Sequence, residues 1–494
     1  MLFSSMIFLW FFLPTVLIVN FISSFANFSS EAKRIRVKNI FLLLASFVFL
    51  GWGGIYYLLI MLTSIGINYC GGYFLSKCSA NRRKALLVAV ITLNLGMLFV
   101  FKYFNFFVII AESFMKIGQD GGSIFKSMLL MEGTGELGIK EIALPIGISF
   151  FTFQSMSYVI DVYMGKAKVQ KNILDFALYV ALFPQLIAGP IVKYSDVEEQ
   201  LKHRKETMLL FLEGVKRFCY GLGKKVLLSN TFAEIADEIW ALDMDKLGAP
   251  LAWLGMIAYT LQIYYDFSGY SDMAIGIGKM LGFRFKENFN YPYTSLSVQE
   301  FWRRWHISLS SWFKEYVYIP LGGNRKGKFR TYLNLFIVFL LTGIWHGANF
   351  TFIAWGLMYA VLLIIERLFL GKLLEKNPVK IINWLYTIFA VMIGWVFFRS
   401  DNILQAKAFI IQLFSSASTE YSILSYTSMK LIIFMIFGLL FAGVVQRLLK
   451  DKYDEVKKKP LVQTVDFAFQ IILLVLSVFS IVSGTYNPFI YFQF

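Results

Sequence analysis

Residues 39–76 read NIFLLLASFVFLGWGGIYYLLIMLTSIGINYCGGYFLS, without one charged side chain. A water-exposed helix needs a polar face, and this run has none. A membrane span takes about 20 apolar residues, so the stretch is long enough for two. Gly51, Gly53 and Gly54 mark the turn between them. Lipid tolerates only backbones whose polar groups are satisfied internally, so both halves are read as helices.

Runs of the same kind recur on either side. Spans are predicted at roughly 3–25, 39–57, 58–76, 85–110, 142–163, 208–229, 249–268, 332–348, 350–371, 381–398, 429–447 and 463–485. The segment 208–229 carries Glu213, Lys216 and Arg217 and is amphipathic rather than uniformly apolar. Composition agrees: 57% of the 494 residues are hydrophobic and 16% charged, with mean hydropathy +0.62. Soluble domains hold about 45–50% and about 25%. The reading is an all-α polytopic membrane protein of about 11–12 spans. No hydrophilic block is long enough for a second unit, so one domain covers 1–494, with its core at 142–371.

The net charge of +16 fits a membrane protein better than a nucleic-acid binder, because the basic residues are scattered over many short loops. Those loops are Lys33–Lys38, Lys77–Lys84, Lys166–Lys171, Lys193–Lys205, Lys279–Arg330, Lys372–Lys380 and Lys450–Lys459. Segments 111–141, 234–246 and 399–428 are poor in Lys and Arg. Cytoplasmic loops concentrate Lys and Arg and lie against anionic lipid. A multi-pass protein of the plasma (cytoplasmic, inner) membrane with both termini outside puts every basic loop inside. The first basic residue, Lys33, follows the first apolar run, so that run is read as a retained span. Cys70, Cys78 and Cys219 are odd in number and lack metal-ligand spacing. Cys70 and Cys219 are read as packing residues, and no metal site is expected.

Residues 172–190 are apolar but have basic flanks on both sides and contain Pro184, Gly189 and Pro190. A re-entrant or broken helix is predicted there, lining an interior cavity, since irregular backbone at membrane depth needs protein or water around it.

Three stretches carry chemistry. Tyr264–Pro292 brings Asp266, Ser268, Tyr270, Ser271 and Asp272 to the end of a span, with Gly269, Gly276, Gly278 and Gly282 spaced for close helix contact. The aspartates are read either as helix caps or as part of a polar vestibule. Phe301–Phe313, FWRRWHISLSSWF, places Trp302, Trp305 and Trp312 near one face of a helix. Tryptophan favours the membrane–water boundary, so an interfacial helix is predicted. Its Arg303, Arg304 and Lys314, and the following Gly322-Gly323-Asn324-Arg325 turn with Lys326 and Lys328, serve either lipid headgroups or an anionic ligand. In LLTGIWHGANFTFIAWG, His346 sits in an apolar run between Gly343 and Gly347, with Asn349 three residues on. An ionisable group inside a span points to function, and imidazole suits acid–base work near neutral pH. His203, in KHRKE, is read as solvated.

These residues resemble the membrane-bound O-acyltransferase family, in particular its bacterial alginate O-acetylation branch. The resemblance is carried by YDFSGYSDMAIG (Tyr265–Gly276), ENFNYP (Glu287–Pro292), Phe301–Trp312, YIPLGGNR (Tyr318–Arg325), Trp345-His346-Gly347, Phe183-Pro184-Gln185 with Ala188-Gly189-Pro190, and the opening MLFSS. It is dense from about 142 to 350 and implies a helical bundle around a transmembrane funnel. The acyl donor is then presented from the cytoplasm and the acceptor works from outside. His346 matches the family's active-site histidine and His306 its second histidine. No tightly bound cofactor is implied; acetyl-CoA is the expected donor. The implied partner is an extracytoplasmic acetyltransferase of the SGNH type or a small membrane protein.

On that reading His346 is a general base. Some of Arg303, Arg304, Arg325 and Lys326 hold the thioester at the cytoplasmic face, with Trp305, Asn324, Asp266, Tyr270 and Asn349 also in the substrate path; Asn349 or Asp266 would orient the ring. The predicted span puts His346 near its outer end, so either the outer funnel is deep or the helix breaks at Gly343. Alginate, cellulose, peptidoglycan and other polysaccharides all stay open as acceptors. The competing readings are D-alanyl transfer from a carrier-protein thioester to teichoic acid, and a polysaccharide or lipid transporter.

Overall fold

The computed structural model describes residues 1–115, 142–416, 420–484 and 486–490. The predicted outer loop at 111–141 lies, from residue 116 onward, outside the described residues. Among these there is no strand. In chain order the helices are α1 (Leu13–Phe25), α2 (Glu31–Gly51), α3 (Ile55–Lys77), α4 (Ala80–Leu98), α5 (Phe104–Met115), α6 (Ile148–Tyr163), α7 (Ile173–Ala181) and α8 (Phe183–Leu186). There follow α9 (Tyr194–Lys202), α10 (Met208–Gly223), α11 (Asn230–Trp240), α12 (Gly248–Met280), α13 (Val298–Arg304), α14 (Ile307–Phe313) and α15 (Gly327–His346). The last are α16 (Phe350–Ile365), α17 (Gly371–Lys376), α18 (Lys380–Arg399), α19 (Ile403–Gln412), α20 (Met429–Leu439), α21 (Val445–Lys457) and α22 (Pro460–Ser483).

Eight helical stretches among the described residues are long and apolar enough to cross a membrane: Phe8–Phe25, Ile55–Lys77, Ala80–Ser113, Gly327–His346, Phe350–Lys376, Lys380–Arg399, Met429–Leu449 and Pro460–Ser483. The protein is thus an all-α, multi-pass membrane protein. The other predicted spans correspond to α2, α6, α10 and α12, which are shorter or carry more polar residues; α6 and α12 are almost wholly enclosed by protein, whereas α2 and α10 also expose apolar side chains such as Leu44 and Leu209. In α6 every residue from Ile148 to Val162 is buried. The glycine turn is where the sequence indicated, with α2 ending at Gly51 and α3 starting at Ile55. Cys219 is buried, whereas Cys70 is exposed on α3 rather than packed inside.

Helix α12 does not stop near residue 268 as predicted; it continues to Met280, about 50 Å in all at 1.5 Å per residue. It can do so because its charges are neutralised sideways. Asp272 pairs with Arg217 and Lys224, each at 2.7 Å, and Asp266 pairs with Lys225 at 2.7 Å. All three cations come from α10 and the π-helical turn Lys224–Ser229 after it. Glycines bring the backbones together. A Cβ on Gly276 would lie 2.7 Å from the Gly214 carbonyl oxygen, and one on Gly269 2.8 Å from that of Gly221. This is the close contact expected of small residues at a membrane helix crossing.

The apolar segment 172–190 is broken as predicted: α7 ends at Ala181, Leu182 leaves the helical conformation with ψ 111°, and α8 adds one short turn. Its backbone is satisfied by side chains from elsewhere. The Phe183 N–H donates to Ser46 Oγ at 3.1 Å, and the Ile191 N–H to Ser308 Oγ at 3.0 Å.

The predicted interfacial helix is corrected in two ways. It is two short helices, α13 and α14, separated at Trp305–His306, where His306 has φ 44°. The break is set by the preceding loop: the Asn290 N–H donates to the Arg304 carbonyl, and the Ile307 N–H to the Asn288 carbonyl, both at 2.9 Å. Trp302, Trp305 and Trp312 are buried. They pack against protein aromatics, Trp312 stacking on Phe153 at 3.8 Å and Trp305 meeting Trp395 at 4.8 Å. None marks a lipid boundary.

Candidate active site

Helix α15 is unbroken at Gly343 and ends on His346. Gly343 instead lets α15 press on α16, since a Cβ there would collide with the Phe352 carbonyl. Aromatic rings wall in the imidazole: Trp355 at 4.9 Å, Phe398 at 5.0 Å and its neighbour Trp345 at 5.0 Å. Neither ring nitrogen has a hydrogen-bond partner among the described residues, and Nδ1 is fully buried.

Two cavities meet at this turn. A small one, about 40 Å³, is lined by His346, Trp345, Lys102, Ser149, Gly147 and Ile187. Ile187 brings the broken segment into the cavity wall. A larger one, about 480 Å³, starts at Gly347 and is lined by Asn349, Phe398, Arg399, Asp401, Asn105 and Lys102, among others. Lys102 lines both.

His306 lies on the other side of Trp345, which is in ring contact with both imidazoles, at 6.2 Å from His306. Asn288 fixes its orientation. The Asn288 Oδ1 accepts from the Ser308 N–H at 3.1 Å and from Ser308 Oγ at 2.8 Å, and lies 3.2 Å from His306 Nδ1. An oxygen already accepting two hydrogens assigns the proton to Nδ1 and leaves a lone pair on Nε2. Nε2 is buried and has no hydrogen-bond partner among the described residues. Burial with no compensating charge pushes the imidazole down to about 3, so the ring is neutral. His306 and Tyr291 are the only non-glycine residues with positive φ among those described.

The other predicted site residues are placed as follows. Asn349 caps α16, accepting from the Thr351 N–H at 3.0 Å and donating to the Asp401 carbonyl at 2.7 Å; it lines the larger cavity and makes no bond to His346. Asp266 and Tyr270 line neither cavity. Asp266 is held by Lys225 and by the Ile490 N–H at 2.9 Å. Tyr270 is buried between Phe3 at 4.6 Å and Phe489 at 4.9 Å. Arg304 pairs with Glu300 at 2.8 Å. Arg303 is exposed and donates to Gln299 at 2.9 Å. Asn324, Arg325 and Lys326 are exposed on a turn that needs glycine at Gly322 and Gly323, with φ of 110° and 56°. That turn is anchored by the Asn334 side chain, which donates to the Gly323 carbonyl at 2.9 Å.

The profile of MBOAT, the membrane-bound O-acyltransferase family, matches residues 165–400. The chain is 38% identical to the probable alginate O-acetylase of Pseudomonas putida over the whole of both chains. The chain belongs to the membrane-bound O-acyltransferase family.

Two further relatives span most of it. The probable alginate O-acetylase of Pseudomonas aeruginosa is 43% identical over 85% of this chain and 76% of its own. The peptidoglycan O-acetyltransferase of Helicobacter pylori is 36% identical over 82% and 78%. As a membrane-bound O-acyltransferase the protein is an enzyme that transfers acyl groups. Sequence reasoning singled out neither Lys102 and Arg399, which line the cavities, nor Asn288, which contacts His306, as candidate site residues. Lys102 carried a signal, being the one charge in residues 85–110. Asn288 stood in the ENFNYP stretch that carries the resemblance but was given no role there, and Arg399 carried no signal, since only tertiary packing brings it here.

Proposed function

We propose that this enzyme moves an acetyl group from a cytoplasmic thioester, acetyl-CoA, to a hydroxyl acceptor on the outer side of the plasma membrane, for polysaccharide O-acetylation. The observation that carries the reading is the buried imidazole of His346, whose Nδ1 has no hydrogen-bond partner among the described residues, in the wall of a small cavity that shares Lys102 with the large polar one. Asn349 and Ser400 line that cavity and occur at chain positions that the basic-loop count assigns to the outside, and Asn105 lines it from the outer end of the predicted span 85–110. His306, Arg303, Arg325 and Lys326 belong to the loop assigned to the cytoplasm.

His346 acts as general base. It takes the proton of the acceptor hydroxyl as the oxygen attacks the thioester carbonyl carbon. The tetrahedral adduct collapses, the C–S bond breaks, and the imidazolium returns the proton to the departing thiolate. The neutral, Asn288-held His306 lies along the donor path. Exposed Arg303, Arg325 and Lys326 take the donor's phosphates, whereas Arg304 is occupied by Glu300. The immediate acceptor is an extracytoplasmic transferase of the SGNH type or the polymer itself, and residues 1–494 work as one unit.

Proteoliposomes offered labelled acetyl-CoA on one face and a hydroxyl acceptor on the other test this. His346→Ala is expected to reduce transfer by about 10²–10⁴-fold. A correctly inserted His346→Ala protein with full transfer removes the base assignment. Consumption of a D-alanyl carrier thioester in place of acetyl-CoA reassigns the donor.

A further inference from the structure

An α-helix leaves its last carbonyls without intrahelical donors, and α15 ends on the proposed base. Three consecutive carbonyls of that last turn are met by two adjacent residues of one neighbouring segment. Tyr103 Oη donates to the Ile344 carbonyl at 2.6 Å. Lys102 Nζ donates to the Trp345 carbonyl at 2.6 Å and to the His346 carbonyl at 3.0 Å. The remaining Lys102 hydrogen reaches Ser149 Oγ, at 3.2 Å, in the first turn of α6. An ammonium has three donors, so Lys102 spends all of them on groups around His346 and has none spare for a substrate oxygen.

The local backbone explains how neighbours act together. Successive residues of a regular α-helix project about 100° apart. Here Phe99–Tyr103 forms a π-helical turn between α4 and α5, a feature that widens the helix and recurs at functional sites. Lys102 and Tyr103 both reach α15 from it. A cation at a helix C-terminus also complements the helix dipole. Among the described residues no carboxylate pairs with Lys102, and a lone charge inside a span is costly to keep for packing alone. What the arrangement accomplishes is to fix the turn that carries the imidazole.

We propose that Lys102 and Tyr103 are positioning residues for His346, clamping the end of α15 so that the imidazole stays where the two cavities meet. This rests on His346 being the base. The test measures acetyl transfer in proteoliposomes for Lys102→Met and Tyr103→Phe, alone and in a His346→Ala background. Misplacing a catalytic group by about 1 Å costs about 10²-fold. Lys102→Met is therefore expected to lower kcat by about that factor, with KM for acetyl-CoA within about twofold. Tyr103→Phe, which loses one hydrogen bond, is expected to lower kcat about fivefold.

In the His346→Ala background neither change should reduce residual transfer further, because residues acting as a unit are not additive. Lys38→Met serves as a control; that lysine is buried against Glu206 at 2.5 Å, away from the site. It should lower folded yield and leave kcat of the folded protein unchanged. Should Lys102→Met fail to insert, Tyr103→Phe carries the test. Unchanged kcat in Tyr103→Phe, or equal losses with and without His346, overturns the clamp. Full transfer by His346→Ala alone overturns the base and is read separately.

Discussion

Replacing Asp266 with alanine separates a structural carboxylate from a substrate-binding one. Asp266 and Lys225 are both almost fully buried and lie 2.7 Å apart. The other Asp266 oxygen accepts from the Ile490 N–H at 2.9 Å. Lys225 also donates to Asn230 Oδ1 at 2.9 Å and to the Pro488 carbonyl. Removing only the carboxylate leaves a buried ammonium, at a cost of about 3–5 kcal/mol. It also leaves the Ile490 N–H without an acceptor, at about 1–3 kcal/mol more. Native stability is only about 5–15 kcal/mol, so Asp266→Ala should show a much reduced folded yield and melting temperature in detergent. The folded fraction should keep its KM for acetyl-CoA within about twofold. Replacing both partners, Lys225→Met with Asp266→Leu, should recover most of the loss, since apolar pairs of similar volume often substitute for a buried ion pair. A stable Asp266→Ala protein whose KM rises tenfold would refute this reasoning and put the carboxylate on the substrate.

Asn288→Ala strips the acceptor from Ser308 and His306, and should lower kcat at least tenfold, by about the cost of one unpaired buried donor; Asn288→Asp keeps an acceptor oxygen and should lose less. Gly276→Val pushes a Cβ toward the backbone of α10 at 2.7 Å and should abolish folded yield on size-exclusion chromatography. Gly96→Ala, on α4 with nothing within 4 Å, should instead gain up to about 1 kcal/mol in thermal unfolding. His306 is held neutral down to about pH 3, against a usual imidazole value of 6.5. Between those values the unfolded chain binds a proton that the folded chain refuses, so stability should fall as pH drops below 6.5. His306→Asn, whose side chain tolerates the left-handed backbone, should flatten that part of the slope between pH 7.5 and 5.

The membrane architecture was legible because lipid-facing helices are apolar along their whole length, and Gly51–Gly54 and Pro184–Pro190 interrupt that pattern where the backbone turns. The glycines of α12 announced a close crossing, and Gly214 and Gly221 of α10 meet them. What stayed hidden depends on partners distant in sequence. Asp272 looked like the end of a span because its neutralising cations, Arg217 and Lys224, are on another helix. The Trp302–Trp312 stretch reads as one helix by spacing, yet two backbone bonds from residues 288 and 290 break it. Of the site, both central histidines stood out as rare ionisable groups in apolar surroundings. Asn288, which holds one of them, lies in the ENFNYP stretch, but that it holds His306 depends on tertiary packing.

The left-handed backbone at His306 bears on how its ring should be probed. A Cβ in that conformation costs about 1–2 kcal/mol, offset here by the side-chain bond to Asn288. Alanine would keep the strain and discard the compensation, mixing a folding defect into any loss of turnover. Glycine removes both together, so at this one position the cleaner deletion of an imidazole is the residue usually avoided for the purpose.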